Sequence, residues 1–96
     1  DFISRFGSKL SMKMDDINKC KMFVKFLEKN EILSDNSPTS VAAGILYYYS
    51  VTEGIGYTKK QFSLACNVSE VTIVKNYKII SKYKDFIDKY KQEIYK

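Results

Sequence analysis

Ser37-Pro38-Thr39-Ser40-Val41-Ala42-Ala43-Gly44-Ile45-Leu46-Tyr47-Tyr48-Tyr49-Ser50-Val51 is the stretch that decides the fold. Ser37 is a natural helix N-cap, and Pro38 suits the first helical position, where an N–H would be unpaired anyway. Over about 38–52 the apolar side chains, from Val41 through Tyr49 and Val51, point in every direction around a helix. A helix that is apolar on all sides, in a chain with ordinary charge content, has to be wrapped by other helices. Ala42, Ala43 and Gly44 let those neighbours approach closely. The three successive tyrosines fit core packing with hydroxyls at the core edge; a stacking platform is the alternative.

The rest of the chain agrees with a helical wrapping. It has 96 residues, enough for one small domain over 1–96 and not for two. Hydrophobic residues make up 45% and charged residues 28%, a globular and not a disordered balance. One Pro and four Gly are too few for a turn-rich β design, so the expected class is all-α. There is no apolar run long enough to cross a bilayer and no signal-peptide pattern, so no membrane partner is expected. The absence of His removes imidazole bases and most zinc sites. Without paired carboxylates at a useful spacing either, neither an enzyme nor a cofactor nor a metal is expected. Cys20 and Cys66 are far apart and form no CxxC pair; they read as reduced thiols packed as small hydrophobes.

Charge is distributed unevenly. The net charge is +5, and residues 75–96 hold seven Lys against three acids. The last quarter therefore carries most of the excess, which points to an anionic partner.

Working outward from the central helix, residues 1–11 and 15–32 show apolar positions at helical steps, with Asp15 and Asp16 opening the second. Lys21, Lys25 and Lys29 form a stripe opposite its apolar face. Glu53–Tyr57 is a loop, and its Gly54-x-Gly56 lacks the third glycine and the strand of a nucleotide fingerprint. Residues 58–82 predict two helices joined by a tight turn. Thr58 and Gln61 form a capping box, Asn67 suits the left-handed turn, Val68 plugs between the helices, and Ser69 caps the second helix. At 100° per residue, Ile73, Tyr77 and Ile80 face inward. Val71, Lys75, Lys78 and Lys82 face outward, flanked by Val74 and Ser81. This is the pattern of a helix-turn-helix whose second helix enters a major groove; a helical hairpin with a solvated lysine face has the same pattern.

Three blocks then resemble a known family. Ser37 to Tyr47, Thr58-Lys59-Lys60-Gln61-Phe62, and Val68-Ser69-Glu70-Val71-Thr72-Ile73 with Asn76-Tyr77 are similar to transcription initiation factor IIB (TFIIB), in the second of its two cyclin-like repeats. Phe2–Leu10 is similar to the first helix of that repeat, so the likeness covers about residues 1–80. It implies a five-helix cyclin-like fold with 38–52 at its centre and the helix-turn-helix at helices 4–5, the zinc ribbon and first repeat lying elsewhere. It implies a non-enzymatic, monomeric domain that joins the TATA-binding protein on promoter DNA and helps recruit RNA polymerase II, in a nucleus or a viral transcription compartment. Ser69, Val71, Thr72 and Val74 are then expected at base edges or the sugar wall, and Lys59, Lys60, Lys75 and Lys78 at phosphates. Val74 falls where the family can carry a guanine-reading Arg. Two rivals remain: a B-related factor of RNA polymerase III, and a cyclin-like protein-interaction module without DNA contact. Beyond the likeness, Tyr83, Phe86, Ile87, Tyr90 and Ile94 form one amphipathic stripe, which predicts an added sixth helix over 84–95. Its Lys84, Lys89, Lys91 and Lys96 read as a solvated face or as phosphate contacts.

Overall fold

The fold comes from a computed structural model that describes residues 1–94, with side chains through Glu93. Six helices follow one another: α1 (Phe2–Lys9), α2 (Met14–Lys29), α3 (Pro38–Thr52), α4 (Lys59–Cys66), α5 (Glu70–Ser81) and α6 (Lys84–Ile94). There is no strand among the described residues, and no helix is long and apolar enough to cross a membrane. This is the all-α architecture of a cyclin-like repeat with one helix added.

α3 is the centre, as its all-round apolarity requires. Ala43, Ile45 and Leu46 are inaccessible, and Ala42, Tyr48 and Tyr49 nearly so. Ser37 caps the helix by accepting from the Ser40 N–H. Val51 departs from the expectation: it is 45% exposed, on the open side of a last turn whose Tyr49 and Ser50 are buried. The tyrosines are core residues. Tyr47 meets Phe62 and Tyr77 edge-on at 5.4 and 5.1 Å between ring centroids, and the Tyr49 hydroxyl donates to the Asp16 carboxylate, tying α3 to α2.

α5 packs against α3 at very close range. A Cβ placed on Gly44 would meet the Asn76 Cβ at 2.8 Å, which is why glycine stands there. Asn76 is itself fully buried, and its Nδ2 donates to the Ser40 carbonyl at 3.0 Å. Ile73 and Ile80 are also fully buried, whereas Tyr77 is half-buried.

Three helix ends share one device. The Met12, Ile32 and Ile55 N–H groups reach back to the carbonyls of Gly7, Leu27 and Ser50. The residue before each, Ser11, Glu31 or Gly54, is left-handed, with φ of 58°, 54° and 69°. This is Schellman-type closure. It ends α2 at Lys29, short of the expected residue 32, because turning the chain back buries Ile32 and Leu33.

α6 begins at Lys84 as expected, but its apolar stripe is only partly covered. Ile87 is buried and the Tyr90 ring packs at a tilt against Phe26 of α2, 4.9 Å between centroids, while Phe86 stays 66% exposed. α2 supplies one aromatic ring to that face, and one ring covers only one side of the stripe. Lys84 pairs with Asp88 on the exposed surface of α6, and Lys91 reaches Glu53 at the end of α3. The Ile94 side chain, residue 95 and Lys96 lie outside what is described.

Candidate nucleic-acid interface

The α4–α5 unit is held by caps written in the local sequence. Thr58 Oγ1 accepts from the Gln61 N–H at 3.1 Å, and Gln61 Oε1 accepts from the Thr58 N–H at 2.7 Å. Two donors at the start of α4 are thereby satisfied. Lys59 and Lys60 then occupy the first turn, against the positive end of the helix dipole. That position does nothing for helix stability. It does put two cations beside backbone N–H groups, which favours an anion.

Asn67 makes the turn with φ 54° and ψ 45°. Ser69 then caps α5: its Oγ accepts from the Thr72 N–H at 3.2 Å and donates to Thr72 Oγ1 at 2.9 Å. Left-handed backbone costs an L-residue with a Cβ roughly 1–2 kcal/mol, and Asn tolerates it best after Gly. Asn67→Ala is therefore expected to destabilise by about 1 kcal/mol and Asn67→Gly to be nearly neutral, as measured by urea unfolding.

An open groove runs along the outward face of α5, with Lys59 of α4 at its edge. Val71, Val74 and Ile79 give it an apolar strip, and Lys59, Lys75, Lys78 and Lys82 surround that strip. Val71 is 79% exposed, whereas Val74 is half-buried and sits lower. Among the described residues none of these four lysines makes an ion pair with an acid. Glu70 is the one acid on the groove.

The structure thus gathers Lys59, Val71, Val74, Lys75 and Lys78 around one groove. Lys60 is exposed on the same first turn but outside the lining, and Ser69 and Thr72 are engaged with each other at the α5 cap. Sequence reasoning missed Glu70 and Ile79 as groove residues. They lie at the two edges of the outward arc of α5, and only the neighbouring helix decides whether an edge residue joins a groove.

The cysteines offer no competing chemistry. Burial pushes the Cys66 thiol up to about 12, against a small opposing effect of Lys9. Burial, then the charges of Asp16 and Glu53, pushes the Cys20 thiol up as well. Both are unpaired and buried, and a protonated thiol is no nucleophile at neutral pH.

The model of the transcription factor TFIIB repeat matches residues 1–83. The chain belongs to the TFIIB repeat family. It is 37% identical over 82 residues to transcription initiation factor IIB 1 of Thermoplasma volcanium, covering 85% of this chain and 26% of that protein. It is 33% identical over 82 residues to transcription initiation factor IIB of Archaeoglobus fulgidus, covering 85% and 25%. The Methanococcus maripaludis factor of the same name is 29% identical over 85 residues, covering 88% and 25%. The chain thus spans about a quarter of the length of these relatives. No solved structure matches it. The TFIIB family is one of transcription initiation factors, not of enzymes. Its matched span stops at Tyr83, one residue before α6 starts.

Proposed function

We propose that the α4–α5 face binds duplex promoter DNA, and that the chain is the second, C-terminal cyclin-like repeat of a general transcription initiation factor. In this reading one domain, residues 1–96, joins the TATA-binding protein on the promoter as a monomer, and the full-length factor recruits RNA polymerase II. The observation that carries the reading is the groove itself. An exposed Val71 and a half-buried Val74 stand at the start of a capped helix, beside four lysines that have no acidic partner among the described residues.

The roles follow from reach and chemistry. Lys75 and Lys78 lie along the outward face of α5 and neutralise phosphates on either side of a major groove. Lys59 and Lys60 add contacts from the first turn of α4. Val71 and Val74 carry no donor or acceptor and meet base edges through apolar contact, most favourably at a thymine methyl. Ser69 and Thr72 fix the start of α5 and stand at the sugar–phosphate wall. The named relatives come from archaea, which have no nucleus. Nuclear location, or a viral transcription compartment, therefore belongs to the proposal and not to the family assignment.

Salt dependence tests this. With about four to six phosphate contacts, log affinity should fall with log salt by roughly 0.9 per contact. Lys75→Ala and Lys78→Ala should each lower that slope by about one and weaken all DNA sequences alike. A fluorescence titration of labelled promoter duplex carrying the TATA-binding protein reads both. A flat salt response, or variants with an unchanged slope, would reject the face.

A further inference from the structure

The described residues expose two large aromatic side chains, Tyr83 at 37% and Phe86 at 66%. Both line a second groove, between α2 and α6, whose α6 side, from Phe86 on, lies beyond the TFIIB repeat match. Phe26 and Tyr90 form its wall, packed against each other at a tilt of 33°, with the Tyr90 hydroxyl donating to the Met22 carbonyl at 3.4 Å. Lys25 and Lys29 stand on the α2 lip and Lys89 on the α6 lip; Glu93 is the one acid there. Among the described residues none of these three lysines has an acidic partner.

A concave aromatic strip with a basic rim has a definite complement. Exposed apolar residues gathered in one groove mark an interaction site more than the same residues scattered singly. Apolar anchors spaced along one face of a helix fit such a groove, and carboxylates beside them meet the lysines. A single nucleic-acid strand fits less well. It needs successive open ring faces for its bases, whereas Phe26 and Tyr90 cover each other and Phe86 alone stands well clear.

We propose that the α2–α6 groove docks an amphipathic helix of a partner protein, with apolar side chains on Phe86 and Tyr83 and acidic residues toward Lys25, Lys29 and Lys89. The site is separate from the α4–α5 face and does not depend on DNA binding there.

The test is fluorescence anisotropy of the chain with a short labelled peptide that carries Leu and Phe at helical spacing and Glu elsewhere. Binding should saturate and weaken with salt, and a peptide of the same composition in scrambled order should bind about tenfold more weakly. Phe86→Ala removes an exposed anchor without touching the core and should weaken binding about tenfold, as should the double change Lys25→Glu and Lys29→Glu. Leu64→Ala, which removes a 73% exposed apolar side chain of α4, should leave it unchanged. No binding, equal binding of the scrambled peptide, an equal effect of Leu64→Ala, or tighter binding of single-stranded oligo(dT) than of the peptide would each overturn the proposal.

Discussion

Ile45→Ala is expected to lower stability by about 2–5 kcal/mol. Ile45 is wholly inaccessible at the middle of α3. Truncating it removes transfer energy and leaves a cavity that surrounding helices fill only in part. A domain this small has a total stability of about 5–15 kcal/mol, so a large share of it goes. The melting temperature should drop by roughly 4–8 °C for each kcal/mol lost. Val51→Ala, on the same helix but at a 45% exposed position, should change stability by no more than about 0.5 kcal/mol. Thermal and urea unfolding followed by circular dichroism measure both. Equal losses at the two positions would mean that α3 is not the buried centre.

Val74→Arg should create a preference for guanine. A Val at this position gives no hydrogen bond to a base, whereas Arg reaches guanine O6 and N7 with two. If Val74 faces the major groove, the variant should favour G at one or two upstream positions by about 1–3 kcal/mol. The wild type should show at most a preference for A·T pairs there, through thymine methyl contact. A competition assay of ternary complexes on promoters with randomised upstream flanks reads the difference. Strong wild-type selection of a GC-rich flank would show that Val74 is not at a reading position.

These two positions also mark what one dimension can reveal. The starts of α3, α4 and α5 are legible because Ser37, Thr58 and Ser69 cap through local hydrogen bonds. The ends of α1 and α2 are not. Ser11 and Glu31 take left-handed backbone without being Gly or Asn, and the gain comes from burying Met12, Ile32 and Leu33 against distant residues. A helical wheel tells which side chains share a face but not how far a neighbour covers it. That is why Phe86 and Val51 stay exposed although each belongs to an apolar set. Asn76 is the converse. It sits among inward residues, and its burial depends on the Ser40 carbonyl and on the missing side chain of Gly44, both on another helix.

The candidate interface divides in the same way. The outward row of Val71, Lys75, Lys78 and Lys82 follows from 100° per residue. The arrival of Lys59 beside that row depends on the angle between α4 and α5, which the Asn67 turn sets in three dimensions.

The central claim is that the lysine-ringed face of α4 and α5 holds promoter DNA. The most direct measurement is the affinity of the full-length factor for a promoter duplex bound by the TATA-binding protein, with Lys75→Glu and Lys78→Glu combined. Both positions are exposed, so the fold should persist, and circular dichroism checks that. The account predicts an affinity loss of more than about tenfold, largest at low salt and similar for every upstream sequence. A folded double variant that joins the promoter complex with wild-type affinity and salt dependence would contradict it.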